Sequence, residues 1–277
     1  MAFLGTTIKT LDIRDIKEHV TYPERGAFTE IFRLQKKLLD NYIGIEKLPS
    51  YPIDINTRAS QDLVKDFTGR IIEELGEGFE SYLIMLDMFH HGIDEEEMIP
   101  HLQNFNEEIS DAIHFWLELL IYSGYEIDSL FCWQGEFADH PKEIIDLLAS
   151  WMEVAGLKTE IDLAMKRLPC RWVIKDHMLE DEFLRGGRQL SNDRRDVMKQ
   201  YLWDITYYLQ IARNTLKNKP WKQTEMMTDL NQYEKALCNA TMALFKFFYF
   251  AGFTKESIYL IYYKKNKVNQ FRIKSNY

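Results

Sequence analysis

Seven prolines, at positions 23, 49, 52, 100, 141, 169 and 220, punctuate a chain of 277 residues. Between them apolar residues recur at steps of three and four, the period of a helix, and the alternation of two that a half-buried strand needs is nearly absent. With 13 glycines and 7 prolines, both backbone punctuators fall below their ordinary usage of roughly 7% and 5%, as long uninterrupted helices require. The pattern predicts about seven helices, near 24–44, 58–90, 101–124, 141–166, 192–216, 224–252 and 254–273. Arg185-Gly186-Gly187-Arg188 reads as a loop. The expectation is an all-α fold: one helical bundle domain over 1–277, with an additional helical lobe inserted at about 126–192.

Hydrophobic residues make up 46% of the chain and charged residues 28%, which is ordinary globular usage and excludes bulk disorder. The 34 basic and 43 acidic side chains leave a net charge of −9, the wrong sign for a general nucleic-acid surface. Locally the sign reverses, since 254–277 carries Lys255, Lys264, Lys265, Lys267, Arg272 and Lys274 against Glu256, enough to hold a small polyanion. Cys132, Cys170 and Cys238 are odd in number and far apart, which argues against a disulfide framework or a structural zinc site and fits a reducing cytoplasm. The best apolar run, Met242 to Phe253, spans 12 residues and is broken by Lys246, too short for a membrane span. The N-terminal residues lack the pattern of a secretion signal.

Chemistry concentrates on four helices. In the first, Gln35 falls on the stripe Phe28, Ile31, Phe32, Leu39 and Tyr42. An amide buried there must bond something, and it offers both a donor and an acceptor, as a nucleobase edge requires. In the second, Glu74 and Glu77 lie three residues apart on a face shared with Phe67 and Ile71; Glu77 and Glu80 repeat the spacing one turn on. In the third, Glu108 and Asp111 share a stripe with Ala112, Phe115 and Leu119. Packed antiparallel, two such helices bring together four hard oxygen donors, the ligand set of Mg²⁺ or Mn²⁺. In the last, Ile258, Tyr262, Lys265, Asn269 and Arg272 form one face that offers an ammonium, an amide and a guanidinium to one ligand.

These motifs resemble the dimeric all-α dUTPase family, a branch of the all-α nucleoside triphosphate pyrophosphatases that also includes MazG-type proteins. Glu74/Glu77 followed by Glu108/Asp111 on the next helix match the family's ExxE and ExxD. Tyr262, Lys265, Asn266, Asn269, Arg272 and Tyr277 match the spacing of its C-terminal pattern, with departures at Ile273 and Asn276. Gln35 corresponds to a glutamine of its first motif, associated with the base. Phe79 and Tyr82 stand where several members carry a tryptophan-rich stretch. The resemblance implies a homodimer that hydrolyses a deoxynucleoside triphosphate, dUTP before others, to the monophosphate and pyrophosphate with Mg²⁺, Mn²⁺ being an alternative. It implies Glu74 as the residue that orients and deprotonates the attacking water. Glu74, Glu77, Glu108 and Asp111 would hold the cations. Lys265, Arg272 and Tyr277 would bind the phosphates, and Asn266 or Asn269 the sugar and phosphates.

Three other readings stand beside it. The same chemistry can act on dCTP or a modified deoxynucleotide. Asp87-x-x-His90 and Asp111-x-x-His114 have the i, i+3 spacing of carboxylate-bridged di-iron bundles, and a helical interaction protein without activity would keep the fold alone. Lys219-Pro220-Trp221-Lys222 reads as a linker.

Overall fold

A computed structural model describes residues 27–126, 187–217, 226–253 and 255–275. Six helices and no strand occur among the described residues, so the fold is all-α. The helices are α1 (Ala27–Glu46), α2 (Arg58–His90), α3 (Glu95–Ser123), α4 (Gly187–Thr215), α5 (Leu230–Phe250) and α6 (Lys255–Lys274). The helix expected at 141–166, most of the lobe expected at 126–192, the 219–222 segment and Tyr277 lie outside the described residues.

Local chemistry explains the boundaries, including three that differ from expectation. α2 starts where Thr57 caps it, its side chain accepting from the Ser60 amide. α3 starts at Glu95 rather than 101, because Asp94 caps it, and it runs through Pro100. A proline this early in a helix removes one backbone bond without ending it. α3 stops at Gly124, whose φ of 81° is the left-handed conformation that terminates helices and favours glycine. α4 takes in Gly187 and Arg188, which the sequence reading placed in a loop; a glycine at the first helical position carries little of the entropic cost it has in the interior. α5 starts at Leu230 rather than 224, since the Asp229 carboxylate accepts from the Gln232 amide and fixes the start there.

α2 and α3 form the longest contact of the bundle. They are antiparallel: Phe67 stacks on Tyr122, Gly78 faces Glu108, and Asn104 donates to Ser81. α4 and α5 form a second antiparallel pair, with Tyr201 against Phe250. Between the pairs sits an aromatic core in which Phe28 of α1 meets the edges of Trp116 and Phe245. The Trp116 indole N–H donates to Thr241 at 3.0 Å, so the one polar atom of that ring is satisfied in the core. α6 packs on α1 and α3, burying Ile258, Tyr262 and Asn266.

One glycine decides how closely α2 approaches α3. A Cβ at Gly78 would stand 3.3 Å from the Glu108 Cβ and 3.5 Å from the Phe105 ring, whereas nothing lies within 4 Å of one at Gly76. Gly76→Ala is expected to stabilise the protein by about 0.5–1 kcal/mol through helix propensity. Gly78→Leu, two residues away, is expected to cost about 1–3 kcal/mol by overpacking. Denaturant unfolding of the two variants checks the contrast; equal effects would remove the close approach.

Candidate functional site

The close approach at Gly78 sets the acidic faces of α2 and α3 against each other. Glu74, Glu108 and Asp111 each offer a carboxylate oxygen, and these atoms lie within 4.8 Å of one another. Three charges so close are unfavourable, and the electrostatics register it. Burial pushes the Glu74 carboxyl up to about 8, reinforced by a hydrogen bond to Glu108 and by the charges of Asp111, Glu108 and Glu77. Glu108 is raised by burial and by Asp111, Glu77 and Glu107, against the Glu74 bond. Asp111 is also raised: its burial outweighs the ammonium of Lys265, which donates to Asp111 at 2.6 Å and to Glu107 at 3.0 Å. At neutral pH Glu74 therefore keeps a proton and shares it with Glu108.

Hard, crowded oxygen donors that hold a proton against their ordinary acidity are the donor set a divalent cation fits, since the cation would replace the proton. The three carboxylates could hold a metal ion, and their chemistry alone does not name which. A consequence follows for stability. Glu74 has a folded pKa raised above the ordinary 4.5. Its contribution is thus present below about pH 4.5 and is lost as pH rises through about 8. In EDTA the melting temperature is expected to fall between pH 5 and 9, and millimolar Mg²⁺ or Mn²⁺ is expected to flatten the fall. Parallel curves with and without cation would contradict a metal site here.

Beside the cluster opens a cavity of about 320 Å³, at the lower end of pockets that take small molecules. Glu74, Asp111, Lys265, Asn269 and Arg272 line it. Leu38, Leu39, Tyr42, Leu48 and Leu63 line it too, together with Asp66 and Glu118. Phe67 and Phe115 are also in the lining, and the Arg70 guanidinium lies 5.2 Å over the Phe115 ring while pairing with Asp66 at 2.9 Å. The cavity lining thus combines charged and apolar side chains.

Of the residues predicted from sequence, Glu74, Glu108, Asp111, Lys265, Asn269 and Arg272 come together at the cluster and the cavity. Glu77 is exposed and outside the cluster, acting on it only through its charge; Glu80, of the alternative register, is exposed too. Gln35 and Asn266 are buried and do not line the cavity. They belong to one chain of bonds. Gln270 donates to Asn266 at 2.7 Å, Asn266 to the Tyr262 hydroxyl at 3.3 Å, Tyr262 to Gln35 Oε1 at 2.7 Å, and Gln35 Nε2 to Glu118 at 2.9 Å. Glu118, at the end of that chain, lines the cavity, as does Arg70. The sequence reading missed both. Glu118 lies seven residues after Asp111 and Arg70 four before Glu74, so continuing each acidic stripe by one or two turns would have found them.

His114, of the second Asp-x-x-His motif, is 4% exposed and lines the cavity. It stacks on Tyr262 at 4.4 Å, and its Nδ1 donates to the Ser110 carbonyl at 2.8 Å. A carbonyl only accepts, so Nδ1 carries the proton. Burial lowers its pKa to about 4, which leaves Nε2 a neutral acceptor with no hydrogen-bond partner among the described residues. The two Asp-x-x-His motifs do not converge. Asp87 is thirteen residues beyond Glu74, about 20 Å along α2, and pairs with Arg195.

No helix of the described residues is long and apolar enough to cross a membrane. No family model matches the chain, and neither a curated protein nor a solved structure matches it.

Proposed function

We propose that the protein hydrolyses a pyrimidine deoxynucleoside triphosphate to the monophosphate and pyrophosphate with Mg²⁺ held by Glu74, Glu108 and Asp111. One observation carries the reading: Glu74 and Asp111 of the carboxylate cluster line a cavity of mixed polarity, whose other walls are aliphatic and aromatic as well as charged. That polarity suits a triphosphate joined to a nucleoside. The resemblance of the motifs to dimeric all-α dUTPases adds the reaction and names dUTP. The second reading, the same chemistry on dCTP or a modified deoxynucleotide, is favoured by the Glu118 carboxylate in the cavity lining.

A bound divalent cation would neutralise phosphate charge and acidify a water. The remaining work falls to the chain. In its ionised form Glu74 is the base that orients water toward the α-phosphorus and takes its proton. Attack forms the bond from water oxygen to the α-phosphorus and breaks the bond to the bridging oxygen, which leaves on pyrophosphate. Lys265 holds Asp111 in place and, with Arg272 and Asn269, faces the phosphate chain. Phe115, Tyr42 and the leucines of α1 exclude water from the nucleoside. The homodimer implied by the resemblance has an apolar face available at Trp203 and Tyr207, exposed one turn apart on α4.

The test is pyrophosphate release from dUTP, dCTP, dTTP, dATP and dGTP with Mg²⁺, beside Asp111→Asn. Release from a pyrimidine nucleotide, abolished in the variant, is the expected result. Release that survives Asp111→Asn would place the activity elsewhere.

A further inference from the structure

Resting on the nucleotide reading above, we propose that Glu118 selects the base: its carboxylate accepts a hydrogen bond from an exocyclic amino group, so that an amino-bearing pyrimidine, of which cytosine is the simplest, binds in preference to uracil. Position comes first. Glu118 is seven residues beyond Asp111 on the same face of α3, a rise of about 10 Å, and it lines the cavity, as do Leu38, Tyr42 and Leu63. A base whose phosphates lie at the carboxylate cluster reaches a group about 10 Å away along α3.

Orientation comes next. The Tyr262 hydroxyl donates to Gln35 Oε1, and the only face of Gln35 left for Glu118 is its NH₂, which suits a group that can only accept. Gln35 is 0% exposed and Tyr262 0% exposed, so this arrangement is locked inside the bundle. The glutamine, which free in solution would offer a base either polarity, is turned inward. It hands the choice to a carboxylate, and a carboxylate offers acceptors alone. The second observation is His114, buried, lining the same cavity, with its neutral Nε2 an acceptor that no described residue satisfies.

Uracil presents one N–H between two carbonyl oxygens. Set against Glu118, a carbonyl oxygen meets a like partial charge and loses its water without compensation. Cytosine presents an amino group, and a carboxylate accepting from the cytosine 4-amino group is an established pairing chemistry that discriminates by roughly five- to 150-fold. Gln35 is here a positioning residue: it holds Glu118 and does not touch the base.

The test is calorimetric binding of the non-hydrolysable α,β-imido analogues of dCTP and dUTP in Mg²⁺, to the wild-type chain and to Glu118→Gln. The expected result is at least about tenfold tighter binding of the cytosine analogue to the wild type. The two analogues should come within about threefold of each other in Glu118→Gln, whose amide can turn a donor toward a carbonyl. A third ligand needs no variant: methylating both hydrogens of the 4-amino group should cost the wild type about tenfold. Equal binding of all three, tighter binding of the uracil analogue, or a ratio unchanged by Glu118→Gln would overturn the selection while leaving the nucleotide reading intact. Failure of every analogue to bind would remove both.

Discussion

Glu74→Gln is expected to lower kcat by about 10²- to 10⁴-fold, the range in which a positioned general base contributes, while making the cation-free protein more stable at pH 8. The two effects share a cause. The carboxyl of Glu74 is raised to about 8 by burial and by its acidic neighbours. Ionising it in the absence of a cation therefore works against the fold, and an amide in its place has no charge to repel. Function and stability then pull in opposite directions at one position, as they do where a site is built from like charges. Steady-state kinetics and melting curves in EDTA at pH 6 and 8 measure both on the same preparation. A variant that keeps activity, or is no more stable than wild type at pH 8, would take Glu74 out of the role.

Gln35→Ala is expected to cost about 2–4 kcal/mol of stability, combining a cavity in the core with a buried hydroxyl and a half-buried carboxylate each stripped of a bond. Gln35 is 0% exposed; it donates to Glu118 and accepts from Tyr262, so both lose a partner at once. Cation binding at the carboxylate cluster should stay within about twofold of wild type, because sites without shared partners behave additively. Chemical denaturation gives the cost, and Mn²⁺ titration gives the independence. Loss of cation affinity in step with stability would mean that Gln35 supports the whole site rather than Glu118 alone.

The helices and the meeting of their acidic faces were legible in the sequence because both follow from spacing. Glu74, Glu108 and Asp111 each sit on an apolar stripe, and antiparallel packing of successive helices brings such stripes together. What spacing cannot give is the side of a stripe on which a residue ends up. Glu77 has the right step from Glu74 and is exposed, since 300° of turn over three residues carries it past the edge of the α2–α3 contact. Gln35 and Asn266 lie on stripes that face the core, and only the side chains around them decide that they bond one another's neighbours instead of a ligand. Tyr262 joins the two, so that a pair expected to touch substrate becomes the support of Glu118. Arg70 and Glu118 were missed for the opposite reason. Each continues a stripe already recognised, but a charged residue at the end of an acidic face reads in a sequence as solvated surface. The reach of α3 to Glu95 was hidden by Pro100, a residue that usually marks a boundary and here only omits one bond.

The central claim, attack of water at the α-phosphorus of a pyrimidine deoxynucleotide held at Glu74, Glu108 and Asp111, is tested most directly by following the reaction in ¹⁸O-labelled water by mass spectrometry. The predicted result is a nucleoside monophosphate that carries one ¹⁸O atom beside unlabelled pyrophosphate. Label in the pyrophosphate, release of orthophosphate and a diphosphate, or no turnover of any nucleotide with Mg²⁺ or Mn²⁺ would contradict it.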